Sequence, residues 1–376
     1  MRIAMFGHKK LPSRSGGIEV VVEQICTRLV NEGHEVTCYN RSDGGLFYNK
    51  FKKSSFRYKG INIKNVFTIN RKGLSAFSSS FFAALSSALG NFDVVHIHAE
   101  GPALFCWIPK LFGKRVVVTI HGLDWARQKW RGSVGERVIK LGEKCAVKYS
   151  DEIIVLSEDV RKYFLKKYGR ETHFIPNGVE IPKLYESDLI KKKYGLQRDS
   201  YILYLGRLVP EKGLEYLIKA FQKVNTNKKL IIAGGSSDTD DFTEKIMNLA
   251  SDDERIIFTG FVQGRILEEL FSNAYFYVLP SDLEGMPLSL LEAMSYGNCC
   301  LVSDIGECTS VVGDKGIVFK KGNIYELYKK MQFLCDSRST VEYFKNNSSD
   351  YIIDKYNWNN VVNETLKLYT RSTNVS

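Results

Sequence analysis

At 376 residues the chain is longer than one hydrophobic core usually serves, so two domains are expected. Apolar residues at 44% and charged residues at 25% are the proportions of a soluble globular protein and exclude disordered or fibrous classes. The net charge of +11 is lopsided: residues 1–180 carry 29 Lys+Arg against 16 Asp+Glu, or +13, and residues 181–376 carry 24 against 26, or −2.

The N-terminal MRIAMFG reads as a first strand over residues 2–6 and lacks the long apolar run of a secretory leader. Gly7 and the loop HKKLPSRS follow, and Gly16-Gly17 opens an amphipathic helix through Val21, Val22, Ile25 and Leu29. Gly33-His34 ends that helix, and Glu35–Tyr39 forms the next strand. This βαβ unit lacks G-x-G-x-x-G spacing, so no dinucleotide fingerprint is expected, yet its glycine entrance offers amides to a phosphate or sugar. The clusters Lys50, Lys52, Lys53, Arg57, Lys59 and Arg127, Lys129, Arg131 suit nucleic acid, an anionic membrane surface or a phosphorylated acceptor, or are ordinary solvated loops. The apolar segment Leu74–Leu89 is too interrupted by serine to span a membrane. It reads as a buried helix of the first domain, with a face toward a membrane-borne, phosphate-linked saccharide as the alternative.

The strands Asp93–His98 and Arg115–Ile120 both end in residues that carry chemistry. His96 and His98 alternate along one strand and share a face, as a metal pair would, but no third ligand stands near them. His121 follows the strand VVVTI and precedes Gly122, at a carboxyl end where doubly wound sheets place ligands. A satisfied structural histidine is the alternative there. A helix from Ser133 to Tyr149, the strand Glu152–Leu156 and the turn Pro176-Asn177-Gly178 complete the first series.

The alternation then restarts. After a lysine-rich helix at Asp188–Tyr194, the strand Tyr201–Leu205 leads into Gly206-Arg207 and, shortly after, Lys212-Gly213. Strands follow at Lys229–Ala233, Arg255–Thr259, Tyr275–Leu279 and Cys299–Ser303, with helices between them. Two successive runs of this kind mean two doubly wound α/β domains. Asp238-Thr239-Asp240-Asp241 mimics a metal-holding acidic pair, but it directly precedes a helix, where acids act as caps. Eight cysteines without a CxxC pair fit a reduced, cytoplasmic setting.

The stretch Glu284–Gly297, EGMPLSLLEAMSYG, runs from a loop into a short helix. Gly285 permits close backbone approach, and Pro287 suits the first helical position, leaving amides ahead of the helix to bind an anion such as a diphosphate. Glu292 lies about 7.5 Å further along the axis, a reach suited to sugar hydroxyls beside the phosphates. Arg207 and Lys212 also follow a strand end, so the two cations and this helix start converge on one sheet edge.

Taken together, the chain resembles the retaining GT-B glycosyltransferases of family 4 over nearly its whole length. The resemblance rests on Gly16-Gly17-Ile18-Glu19, Gly33-His34-Glu35-Val36, His121-Gly122, Pro176-Asn177-Gly178-Val179, Gly206-Arg207 with Glu211-Lys212-Gly213, and Glu284 with Glu292. HGLDWARQKW and the following KLGEKCAVKYSDEIIVLS are also similar to a rhamnosyltransferase-like subgroup of capsule and exopolysaccharide synthesis. The resemblance implies two Rossmann-like α/β domains facing each other across a cleft. Residues 1–180 would bind the acceptor, 181–355 the nucleotide sugar, and 356–376 would form a helix crossing back onto the first domain. It implies that Arg207 and Lys212 hold the donor diphosphate, Glu292 the ribose, and Glu284 the transferred sugar, with the backbone of Met286, Pro287 and Leu288 beside it. His121 would lie against the donor sugar, and Gly16-Gly17 would border the diphosphate.

The implied donor is a nucleoside diphosphate sugar used without a metal, and the acceptor a saccharide or lipid-linked saccharide. Contact with an anionic membrane at its inner face would be peripheral, and no nucleic acid partner is expected. The competing readings are a nucleotide-sugar epimerase or phosphorylase-like member of the same fold, and a catalytically silent nucleotide-sugar-binding subunit.

Overall fold

The structure, a computed structural model, describes residues 1–42, 55–71, 73–236 and 240–370, so Lys50, Lys52, Lys53, Asp238 and Thr239 lie outside the described residues. The chain divides into two compact units, one made of Met1–Asn177 with Trp358–Ser376 and the other of Gly178–Asn357.

The first unit runs β1 (Arg2–Phe6), α1 (Gly17–Asn31), β2 (Glu35–Arg41), β3 (Ser55–Tyr58), β4 (Ile61–Val66), α2 (Leu74–Leu89) and β5 (Val94–His98). It continues with α3 (Glu100–Ala103), α4 (Trp107–Leu111), β6 (Arg115–Ile120), α5 (Val134–Tyr149), β7 (Glu152–Val155), α6 (Glu158–Tyr168) and β8 (His173–Phe174). Its sheet has the order β3-β4-β2-β1-β5-β6-β7-β8, parallel except for the edge hairpin β3–β4. Strands β5 and β6 are near-continuous apolar runs because helices cover both faces of a parallel sheet. The hairpin has no such signature, since all of β3 is solvated or half-buried, and the sequence pattern does not announce it.

Helix α2 departs from the expected buried helix. Its inward face is made of Ser78, Ser79, Ser80, Ala83, Ala84, Ser87 and Ala88, whereas Leu74, Phe77, Phe81, Phe82 and Leu89 are exposed. The serines satisfy their own hydroxyls: Ser78 Oγ donates to the Leu74 carbonyl at 2.8 Å and Ser80 Oγ to that of Ala76 at 2.7 Å. Small self-satisfied residues let α2 lie close to the sheet, and the large apolar residues point away from it.

The second unit runs α7 (Leu189–Tyr194), β9 (Tyr201–Leu205), a 3₁₀ turn at Pro210–Lys212, α8 (Leu214–Phe221), β10 (Lys229–Ala233), α9 (Asp240–Ala250) and β11 (Ile256–Gly260). After these come α10 (Arg265–Asn273), β12 (Phe276–Leu279), α11 (Leu288–Ser295), β13 (Cys300–Ser303), α12 (Gly306–Val312), β14 (Ile317–Phe319), α13 (Ile324–Asp336) and α14 (Arg338–Lys355). The sheet order is β11-β10-β9-β12-β13-β14, all parallel. The chain therefore winds one way from β9 to β11 and the other way from β12 to β14. The order reverses between β9 and β12, the topological switch point of an open α/β sheet.

The last helix, α15 (Trp358–Tyr369), belongs to the first unit and packs on α1. Arg28 Nε donates to Asn359 Oδ1 at 3.2 Å, Arg115 Nε donates to the Leu368 carbonyl at 2.6 Å, and Tyr369 Oη meets His96 Nδ1 at 2.6 Å. Among the described residues no helix is long and apolar enough to cross a membrane.

Candidate active site

In the second unit the site residues gather where β9 and β12 end. Two glycines let the loops beyond β9, β10 and β12 meet backbone to backbone. A Cβ on Gly213 (φ +70°) would lie 2.0 Å from the Pro280 carbonyl oxygen, and one on Gly234 (φ +149°) 1.8 Å from that of Gly206. Only glycine fits such contacts at positive φ. The amide of Asp282 donates to the Glu211 carbonyl at 2.8 Å, tying the β12 loop to the β9 loop.

This frame brings Lys212 and Glu284 into direct contact. Lys212 Nζ donates to Glu284 Oε1 at 2.5 Å, and the same oxygen accepts from Ser281 Oγ at 2.6 Å. The Ser281 carbonyl in turn accepts from the buried Ser303 at the end of β13. The Lys212 and Glu284 side chains are only 13% and 7% exposed, so the pair is largely withdrawn from water. Ser281 is a candidate site residue that the sequence pattern does not mark; a serine three positions before Glu284 is the signal that could have found it.

Arg207 follows β9 directly, and Tyr204 Oη donates to its carbonyl at 3.2 Å. Buried Tyr277 reaches Ser289 Oγ at 2.9 Å and donates to the Leu205 carbonyl at 3.2 Å, which fixes the start of α11 against the end of β9. Helix α11 begins at Leu288, one residue later than the sequence suggests, with Pro287 as its N-cap residue. Leu290 and Leu291 both donate to the Pro287 carbonyl, so the amides of Leu288 and Ser289 stand ahead of the hydrogen-bond ladder, with Met286 half-buried before them. Glu292 is half-buried one turn into the helix. The structure thus joins Lys212 to Glu284 directly, and sets Arg207, Met286, Pro287, Leu288 and Glu292 on the elements that leave the same two strands.

The first unit has its own switch point, between β1 and β5. A Cβ on Gly7 (φ +114°) would lie 2.0 Å from the His98 carbonyl oxygen, so glycine brings the ends of these two strands together. Gly16 is the N-cap residue of α1 and Gly17 its first residue. Glu19, almost fully buried, accepts from the Lys9 amide at 2.8 Å and closes the glycine loop.

His121 lies just past β6, and its Nε2 meets Nδ1 of His98 at 3.0 Å. His96 and His98 do share a strand face, stacked with centroids 4.3 Å apart, but they are not a vacant ligand pair. Both nitrogens of His96 are engaged, one by Tyr369 Oη and the other by Thr119 Oγ1 at 2.7 Å. His98 serves His121 instead. Burial lowers the His121 imidazole to about 4, with Asp124 opposing and Arg127 reinforcing the shift, and drives His98 well below its usual value. Both rings are neutral near pH 7, so His121 is equipped to hydrogen-bond a sugar hydroxyl, not to pair with a phosphate charge.

Beside these rings, burial and the neighbouring acids Asp124 and Glu143 push the Glu100 carboxyl up to about 10. Its Oε2 accepts from the Asp124 amide at 2.8 Å, while buried Oε1 has no donor, as befits a protonated oxygen turned to the neighbouring Glu143 carboxylate.

Residues 15–182 match the family described as Glycosyltransferase Family 4, and residues 186–367 the family described as Glycosyl transferases group 1. The chain is 26% identical to an uncharacterised glycosyltransferase of Methanocaldococcus jannaschii over 98% of each chain. It is also 26% identical to the UDP-Gal:alpha-D-GlcNAc-diphosphoundecaprenol alpha-1,3-galactosyltransferase of Escherichia coli, covering 74% of this chain and 75% of that one. The fold matches that of the solved Anabaena HepE in complex with UDP-glucose with a TM-score of 0.79, at 15% identity and over 98% of both chains.

Proposed function

Because this chain belongs to the GT-B glycosyltransferases of family 4 and group 1, we propose that it moves a hexose from a nucleoside diphosphate sugar to a saccharide or lipid-linked saccharide, with retention of configuration, in cell-surface polysaccharide synthesis. The observation that carries the donor half of this reading is the Lys212–Glu284 pair at the β9/β12 switch point, beside the start of α11. A cation, a helix N-terminus and a carboxylate within one loop frame match a diphosphate joined to a hydroxylated sugar. The UDP-glucose bound by HepE and the diphosphoundecaprenol-linked acceptor in the name of the E. coli relative support both halves.

In this reading Arg207, Lys212 and the first amides of α11 stabilise the charge that grows on the departing diphosphate. The bond from the anomeric carbon to the β-phosphate oxygen breaks, and the bond to the acceptor hydroxyl forms on the same face. The acceptor proton passes to a phosphate oxygen of the leaving group, so no dedicated carboxylate base is needed. Glu284 holds hydroxyls of the transferred sugar, Glu292 the ribose, and neutral His121 the sugar near the reacting carbon, with Gly16-Gly17 bordering the diphosphate. Residues 1–180 bind the acceptor, presented by a peripherally contacted anionic membrane, residues 181–355 bind the donor, and no metal takes part. The likeness of His121–Trp130 to the rhamnosyltransferase-like subgroup makes dTDP sugars part of the first screen.

The test is donor hydrolysis and thermal shift by purified protein across UDP, GDP, ADP and dTDP sugars. One donor is expected to raise the melting temperature and be turned over; binding without turnover, even with acceptor extracts, would instead favour a silent binding subunit. A glycosyl adduct on Glu284, detected by mass spectrometry, would replace same-face attack with a covalent mechanism.

A further inference from the structure

We propose that the outward face of α2, together with α4, is a docking surface for an anionic phospholipid bilayer. This deepens the lipid-linked acceptor reading by naming the surface that would bring the first unit to such an acceptor. At about 100° per residue, Leu74, Phe77, Phe81, Phe82 and Leu89 fall within one arc of α2; Ser79, Ser80, Ala83 and Ser87 lie on the opposite side, and the small buried residues Ser78 and Ala88 sit between the large ones. A helix placed for core packing would bury those phenylalanines and expose the serines; this one does the reverse.

The apolar face continues beyond α2. Phe77 and Phe81 meet Phe105 edge-on at 5.0 and 5.6 Å, Phe82 meets Phe67 at 5.2 Å, and α4 packs alongside. From α4 and the residue after it, Trp107, Leu111 and Phe112 are exposed, Leu111 by 74%. Exposed large apolar residues of the second unit, such as Ile181, Met247 and Phe333, are spread through its sequence on separate elements. A contiguous exposed patch marks an interaction surface, whereas scattered residues do not.

Charge selects the occupant. The first unit holds 31 Lys+Arg against 16 Asp+Glu, a net +15, while the second holds 22 against 26, a net −4. The segment 73–92 carries no charge, and exposed Arg71 stands immediately before α2. A second copy docked through the same face would bring two strongly cationic units together, whereas an anionic bilayer complements both the charge and the aromatic surface. Trp107 at the margin suits the headgroup level, where its ring is half apolar and half polar.

The experiment is flotation of the full chain with phosphatidylcholine vesicles, with and without phosphatidylglycerol, at low and high salt. Binding is expected to the phosphatidylglycerol vesicles, weakened by salt, and to fall by about tenfold or more in Phe77→Ser/Phe81→Ser/Phe82→Ser. Leu89→Asp/Leu111→Asp, at two positions well exposed to water, is expected to do the same with an unchanged melting curve. Lipids brominated in their acyl chains are expected to quench tryptophan fluorescence, and Trp107→Phe to remove most of that quenching.

Vesicle binding that survives both multiple variants would overturn the proposal. So would a wild-type chain that ignores phosphatidylglycerol, or one that sediments as a dimer that the triple variant disperses. If the chain docks as described yet turns over no donor, the surface stands and the transferase reading falls. If it glycosylates a short-chain soluble acceptor but ignores vesicles, the reverse holds.

Discussion

Lys212, proposed above to hold the donor diphosphate, is paired with Glu284, whose Oε1 lies 2.5 Å from Lys212 Nζ. If the proposed function holds, an incoming diphosphate shares Lys212 with a carboxylate that is only 7% exposed. Replacing Glu284 by Gln removes that competitor, so affinity for the bare nucleoside diphosphate is expected to tighten by roughly fivefold, about 1 kcal/mol, while sugar transfer falls. Calorimetric titration beside a turnover assay checks the two opposite signs, and weaker binding in Glu284→Gln would refute the competition. Glu292 carries the contrasting expectation. Glu292→Ala should weaken nucleoside diphosphate binding by about tenfold, the cost of a charge-assisted hydrogen bond to the ribose, and raise KM for the donor more than it lowers kcat.

Among the elements, helix α15 offers a clean measurement. Tyr369→Phe removes the hydroxyl from His96 Nδ1 and leaves a fully buried ring nitrogen unpaired. A loss of about 1–3 kcal/mol is expected in denaturant unfolding, with donor binding by the second unit unchanged. That contact spans 273 residues, and nothing local in the sequence announces it. What is local is legible: β5, β6, β9 and β12 are apolar runs that end in chemistry-bearing residues, and the glycines at 206, 213 and 234 punctuate them. Which strands are neighbours, and hence that Lys212 meets Glu284, depends on sheet order, which alternation does not encode. The orientation of α2 was hidden for another reason. Its residues are apolar or small on every side, so periodicity marks the helix without saying which side turns inward. For His96 and His98, strand alternation gives the shared face but does not reveal Tyr369, Thr119 and His121 as their partners.

For the molecule as a whole, acid should be more damaging than mild base. Burial holds His8 and His121 at about 4 and His96 at about 3, and drives His98 well below the usual value of 6.5. Below pH 6.5 the unfolded chain takes up protons that these folded rings refuse, so stability falls as pH drops toward 4. Glu100 acts oppositely: it keeps its proton in the fold, and stability attributed to it falls as pH rises above its usual 4.5 toward about 10. Four rings outweigh one carboxyl between pH 6.5 and 4.5, and unfolding free energy is expected to drop there by about 1 kcal/mol or more per pH unit. Urea titrations at stepped pH values measure this directly; a flat profile would mean that the rings are solvated. One feature bears on the chain's origin and not on its chemistry. The second unit is unbroken from Gly178 to Asn357, and its two ends are tied together by the Val179 amide, which donates to the Tyr356 carbonyl at 2.8 Å. It is a guest inserted in a host whose last helix is still unmade when the guest is complete. A segment of residues 178–357 alone is expected to melt cooperatively, and residues 1–177 only once a peptide of 358–376 is supplied, as calorimetry of the fragments would show. On the ribosome, the unit that is begun first therefore cannot be completed until the whole of the second unit has been made, because Tyr369, the partner of His96, is added after it.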